Sequence, residues 1–150
     1  MKKAPNFALP DQSGIIHNLS DYKGSWVLVY FYPKDDTPGC TKEACGFRDL
    51  TAEYKKNNIV VLGISKDSVT SHKMFAEKHR LTFPLLSDET KNIIQAYGAW
   101  GEKKFMGKIF DGVKRISFLI SPDQLIHKEY LNVNVFTHAA DIIKDVSQSS

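Results

Sequence analysis

Seven consecutive residues, Trp26-Val27-Leu28-Val29-Tyr30-Phe31-Tyr32, are all apolar or aromatic. A run without alternation has no polar side to offer water, so it suits a strand buried on both faces. Pro33 ends it, because proline has no N–H for a ladder. Ile59-Val60-Val61-Leu62-Gly63-Ile64-Ser65 is a second run of the same kind. Between them Thr37-Pro38 reads as a helix start, with Thr as the cap and Pro at the first helical position. The segment to about Asn57 then sets Phe47, Leu50 and Tyr54 on one side at helical spacing. Two-sided strands separated by a helix point to the α/β class.

The flanking segments agree. Phe7 to Leu9 and Ile15 to His17 flank Asp11-Gln12-Ser13-Gly14 and read as a small N-terminal β-hairpin. Val69 to about His79 reads as a helix, Leu85-Leu86 as a short strand and Asn92 to Tyr97 as a short helix. Ile116 to Ile120 and Leu125 to Tyr130 are strands joined by the turn Ser121-Pro122-Asp123-Gln124. Thr137 to Val146 closes the chain as a helix, and Ser147-Gln148-Ser149-Ser150 is expected to fray. One domain over residues 1–150 is expected, large enough to bury a core without staples.

Charge and cysteine usage narrow the function. The net charge is +3 with 25% charged residues, and no block of like charges forms, so neither nucleic acid nor an anionic membrane is expected as a partner. No run reaches the roughly 18 apolar residues that span a bilayer. Met1 to Asn6 carries two lysines with no apolar run behind them, so no secretory signal is expected and a cytoplasmic location follows. Two cysteines there are not a structural framework.

Cys40 falls just after the first strand, at or near the start of a helix. Exposed amides and the helix dipole favour an anion at such a place, which lowers a thiol pKa and populates the nucleophilic thiolate. The competing reading is a buried cysteine acting as a small hydrophobe.

Pro33-x-x-x-Thr37-x-x-Cys40 resembles the signature of the peroxiredoxins, and Thr37-Pro38-Gly39-Cys40-Thr41-x-Glu43-Ala44-Cys45 resembles the branch called bacterioferritin comigratory protein or peroxiredoxin Q. Tyr30 to Asp35, Gly63-Ile64-Ser65-x-Asp67-Ser68, Phe83 to Asp88, Tyr97-Gly98-x-Trp100-Gly101-Glu102-Lys103 and Arg115-x-Ser117-Phe118-Leu119-Ile120 resemble that family in order. The resemblance implies a single thioredoxin-like domain with a central mixed sheet flanked by helices. It implies a thiol peroxidase for hydrogen peroxide and organic hydroperoxides, acting as a monomer with thioredoxin or a similar dithiol donor, and needing no flavin, haem or metal cofactor.

Carried over by position, the resemblance implies that Cys40 is the peroxidatic cysteine and Cys45 the resolving one. Thr37 would hydrogen-bond the peroxide, Pro33 would shield the sulfur from water, and Arg115 would stand beside the thiolate as a permanent charge. Taken alone, Arg115 reads as a surface ion-pair partner, and Lys114 competes for the role if the register is one out. Five residues of helix rise about 7.5 Å and turn about 140°. A disulfide needs Cα atoms within roughly 7 Å. The helix start must therefore unwind before Cys45 reaches Cys40, and Gly46 is expected to ease that opening.

Other chemistries fit less well. A thioredoxin-type oxidoreductase would show Cys-x-x-Cys, and a copper-binding protein would pair its cysteines with a distal histidine. His17, His72, His79, His127 and His138 are not at short ligand spacing and read as surface residues. A redox sensor using the same disulfide would look identical in sequence. Asp35 and Asp36 read as solvated turn residues, and Trp100 as a loop residue that lines the site rim or simply packs there.

Overall fold

The computed structural model describes residues 2–149. The chain opens with a hairpin of β1 (Ala8–Pro10) and β2 (Ile16–Asn18) and a 3-10 turn, followed by β3 (Trp26–Phe31), α1 (Pro38–Asp49), α2 (Thr51–Lys56) and β4 (Ile59–Ser65). Then come α3 (Val69–His79), β5 (Leu85–Ser87), α4 (Asn92–Ala96), β6 (Trp100–Phe105), β7 (Lys108–Val113), β8 (Ile116–Ile120), β9 (Ile126–Tyr130) and α5 (His138–Ser149). The central sheet has the order β5-β4-β3-β8-β9. β3, β4 and β5 are parallel, while β8 runs antiparallel to β3 and to β9.

The uniform β3 run is explained by two cores. Val27, Val29 and Phe31 face one cluster with Leu62, Ile64 and Phe118, closed by Leu19, Ile94 and Tyr97. Leu28, Tyr30 and Tyr32 face the other, with Leu85 and Leu119, closed by Phe47 of α1, Phe75 of α3 and Ile142 of α5. The period of two along a strand assigns alternate residues to opposite cores, so both sets must be apolar.

Four expectations are corrected. The helix expected to run from Thr37 to about Asn57 breaks at Leu50, where φ is −107° and ψ 21°. There Leu50 N–H turns back to Phe47 O at 3.2 Å, and the Thr51 hydroxyl takes Arg48 O at 2.6 Å. Trp100 is not in a loop: it begins β6, which pairs with β7 in a hairpin of its own. Met106 (φ 51°) and Gly107 (φ 79°) form its two-residue turn, the left-handed pair that a tight hairpin demands. The tail does not fray where expected, since α5 continues through Ser149, whose hydroxyl bonds Asp145 O at 2.8 Å; Ser150 lies outside the described residues. His72 and His138 are buried, not surface residues.

His138 gives the fold a pH dependence. Its Nε2 lies 2.8 Å from Ser117 Oγ, and its ring meets Phe47 and Tyr130 edge-on. Burial pushes its pKa down to about 4, against the pull of Asp141 and Asp145. The unfolded chain therefore takes up a proton between pH 6.5 and 4 that the native state refuses, and stability falls as pH drops through that window. Glu43 works the other way: burial lifts it to about 7, so its share of stability is present in acid and lost as pH rises towards 7. His138→Asn is expected to shrink the loss of stability between pH 7.5 and pH 5 by about 1–2 kcal/mol. Urea midpoints at the two pH values measure this, and an unchanged difference refutes it.

Candidate active site

The segment between β3 and α1 is pinned to α3 by two adjacent aspartates. Asp35, expected in solvent, is buried. It accepts from Tyr32 Oη at 2.6 Å and Ser71 Oγ at 2.8 Å, and lies 2.7 Å from His72 Nδ1. His72 Nε2 lies 3.0 Å from Leu86 O. A carbonyl only accepts, so Nε2 is the donor in that contact. Asp67 accepts from Asp35 N–H at 2.9 Å and Ser65 Oγ at 2.8 Å. Asp35, Asp67 and His72 each bring a ligand atom within 4.8 Å of the others. Their bonds to one another and to these neighbours make the group a clamp on the loop. Asp36 turns the chain with φ 58° and meets Lys78 at 2.7 Å and His79 at 3.0 Å.

That clamp sets the approach to α1. Thr37 is the N-cap residue, as expected, but its hydroxyl donates back to Lys34 O at 2.8 Å and caps nothing. The positive end of α1 is thus left without a side-chain cap beside Cys40, which lies in the first turn and is 1% exposed. Pro33 opens the same loop and is partly exposed.

Arg115, in the link between β7 and β8, supplies the charge. Its Nη2 donates to Cys40 Sγ at 3.3 Å and its Nη1 to Glu43 Oε1 at 2.7 Å. Burial works against the cation, but Cys40 and Glu43 outweigh it and raise the Arg115 pKa. Lys114 points elsewhere, with its side chain against Gly101, so the register places Arg115 at the sulfur. Gly39 makes the approach possible: a Cβ there would stand 3.0 Å from Arg115 Nη2.

Two residues near the sulfur escape a reading by motif. Lys103 of β6 bonds Val113 O at 2.9 Å. Burial lowers its pKa, Arg115 adds to the effect, and Cys40 opposes it. Glu43 is 1% exposed, with Oε2 buried and unpartnered among the described residues. Burial lifts its pKa to about 7 despite Arg115. Its signal in the sequence is a carboxylate three residues after Cys40, in the stripe that also holds Ala44 and Phe47.

Cys40 and Arg115 thus meet in the first turn of α1, where Thr37 is the N-cap residue. Cys45 does not join them. It is a free thiol, partly buried, on the same unbroken helix.

The chain matches the AhpC/TSA family over residues 1–129. It is 52% identical to Peroxiredoxin Bcp of Escherichia coli (strain K12) over 135 residues, covering 90% of this chain and 86% of that relative. It is 41% identical to Peroxiredoxin Bcp of Bacillus subtilis (strain 168), covering 99% and 95%. Among solved structures it is similar to the bacterioferritin comigratory protein of Xanthomonas campestris, studied for its alkyl peroxide reduction activity, at 35% identity and a TM-score of 0.89, covering 95% and 91%. It is also similar to the peroxidoxin BcpB of Mycobacterium tuberculosis, at 34% identity and a TM-score of 0.87, covering 99% and 96%. The fold is thioredoxin-like, with the mixed sheet and N-terminal hairpin expected. With a thiol at an uncapped helix start, an arginine upon it and relatives of this similarity along nearly its whole length, the chain belongs to the AhpC/TSA family, as a peroxiredoxin of the Bcp, or peroxiredoxin Q, branch.

Proposed function

We propose that this peroxiredoxin reduces hydrogen peroxide and organic hydroperoxides through Cys40, with Cys45 as the resolving thiol and a thioredoxin-type dithiol as the reductant. The observation that carries the reading is the 3.3 Å contact from Arg115 Nη2 to Cys40 Sγ at the start of α1. Cation and helix dipole together favour the thiolate over the thiol.

The cycle has three steps. The Cys40 thiolate attacks the nearer peroxide oxygen; an S–O bond forms, the O–O bond breaks, and the departing hydroxide or alkoxide takes a proton to give water or alcohol. Thr37 orients the peroxide in line with the sulfur and Arg115 stabilises the charge that builds on the oxygens. Pro33 keeps bulk water from the sulfur. Cys45 then displaces hydroxide from the Cys40 sulfenic acid to form a disulfide. The donor dithiol reduces that disulfide by exchange and leaves oxidised. Every protein group in the oxidation and resolving steps comes from one domain of one chain, spanning residues 1–150, so a monomer suffices. The reducing pool that the cycle needs is that of the cytoplasm. Among the described residues no helix is long and apolar enough to cross a membrane.

The test is a coupled assay with thioredoxin reductase, thioredoxin and a hydroperoxide, read as NADPH consumption. Turnover is expected with the wild-type chain. Arg115→Met is expected to slow the oxidation step more than tenfold, since losing a close charged hydrogen bond costs roughly 1.5–3 kcal/mol. No peroxide-dependent NADPH consumption by the wild type, or the same loss in Lys114→Met but not in Arg115→Met, overturns the assignment.

A further inference from the structure

Glu43 has no part in that cycle, yet it lies on α1 between the two cysteines that must meet. Its Oε1 is held by Arg115 at 2.7 Å, and its Oε2 is buried with no donor to satisfy it among the described residues. A charged oxygen in that state is costly, whereas a protonated one is much less so. We propose that Glu43 is a positioning residue for the resolving step: buried while α1 is intact, its carboxyl group gives up a proton when the helix start unwinds, and so favours the opening that brings Cys45 to Cys40 as pH rises.

The geometry makes the link unavoidable once Cys40 and Cys45 pair as proposed above. An intact helix separates them by about 7.5 Å of rise. The bond cannot form without unwinding the residues between, and Glu43 is one of them. On opening it leaves its pocket and meets water, where a glutamate ionises at about 4.3. In the closed helix burial holds its pKa at about 7. Few groups face it there. Arg115 comes from the β7–β8 link and Cys40 from its own helix. Tyr30 comes from β3; its hydroxyl is likewise buried and unpartnered among the described residues, and Glu43 is foremost among the charges acting on it. Lys103 is acted on by Arg115 and, in the opposite direction, by Cys40. The Glu43 shift is set by burial, opposed by the Arg115 charge and its hydrogen bond.

Between these two values the open state releases a proton that the closed state keeps, so opening becomes easier with rising pH. The reaction balances. The Cys45 thiolate attacks the Cys40 sulfur, the S–S bond forms and the S–O bond breaks. Hydroxide leaves and takes a proton to become water, matching in number the one Glu43 gives up. When the donor reduces the disulfide, α1 rewinds and Glu43 takes its proton back.

Rapid mixing with hydrogen peroxide separates an oxidation phase that depends on peroxide from a resolution phase that does not. The resolution rates of the wild type and Glu43→Gln are compared from pH 5 to pH 8. Both proteins share the titration of Cys45, so it cancels in their ratio. That ratio is expected to rise about tenfold or more over the range, since one unit of difference in proton affinity is a tenfold change in the opening constant. A ratio that does not change with pH overturns the proposal, because a merely structural carboxylate would alter the rate by a constant factor. Absence of any oxidation phase in the wild type overturns the peroxidase reading, and this one with it. If Glu43→Gln does not fold, amide exchange of residues 40–46 in the oxidised Cys45→Ser protein, corrected for intrinsic rates, replaces it. Opening about tenfold more frequent at pH 8 than at pH 5 is expected, and equal opening overturns the proposal.

Discussion

Cys40→Ser is expected to abolish hydroperoxide reduction, with a loss of at least about 1000-fold in the thioredoxin-coupled assay, or roughly 4 kcal/mol of barrier. A serine hydroxyl is not appreciably ionised near neutral pH, even beside a guanidinium, and it cannot take the oxygen that a thiolate sulfur accepts. The variant tests chemistry and not folding. Cys40 is 1% exposed in a cluster with Ala44 and Phe47, and serine is slightly smaller than cysteine with the same connectivity. Arg115 has a second bond, to Glu43 at 2.7 Å, that does not involve position 40. A urea midpoint near that of wild type together with lost activity is the expected pair of results. Substantial peroxidase activity in Cys40→Ser would remove the central assignment.

How far this site could be read from sequence depended on where its parts lie along the chain. β3 and β4 were legible because burial on both faces leaves no polar position in the run. Cys40 at a helix start was legible because Thr37-Pro38 marks that start locally. Arg115 was legible through resemblance, and the choice between it and Lys114 became clear only when the β6–β7 hairpin placed Lys114 against Gly101. The hairpin itself was missed because its strands pair only with each other and leave Phe105, Ile109 and Phe110 exposed. Such strands carry neither an apolar run nor a clean alternation. The Asp35–His72 clamp joins residues 37 apart, and no local spacing announces a pair assembled by the sheet. Adjacent Asp35 and Asp36 look alike in sequence, yet the backbone turns one into the core and the other towards Lys78. Glu43 was visible as a letter in the motif, but only the fold shows that its second oxygen is buried without a partner among the described residues.

The far half of α1 decides how much of the helix opens. Phe47 is buried against Tyr30 at 4.9 Å, Tyr54 at 5.7 Å and Phe83 at 6.1 Å. One residue earlier, a Cβ at Gly46 would meet Ala139 of α5 at 3.7 Å, an ordinary contact. Unwinding as far as Gly46 therefore sacrifices Glu43, which gains from exposure, and spares Phe47, which would lose several kcal/mol of packing. The hinge for the proposed opening is therefore expected between Gly46 and the Phe47 anchor.

Cys45→Ser separates the two halves of the cycle on this hinge. The Cys40 thiolate, Arg115 and Thr37 are untouched, so the first oxidation by peroxide is expected at close to the wild-type rate. The sulfenic acid then has no intramolecular partner. It should persist, form a dimedone adduct at Cys40, and pass more readily to sulfinic acid under excess peroxide. Thioredoxin-linked turnover is expected to fall at least about tenfold, because the donor exchanges with a disulfide that can no longer form. In the wild type, the disulfide form should exchange its amides faster from Cys40 to Gly46 than the reduced form, while Phe47 to Asp49 stay protected. Mass spectrometry and amide exchange read both results. Full turnover in Cys45→Ser, or a wild-type disulfide that joins two chains, would show that Cys45 does not resolve Cys40. Unchanged protection of residues 40–46 in an intramolecularly linked protein would show that the bond forms without the opening that the helix geometry demands.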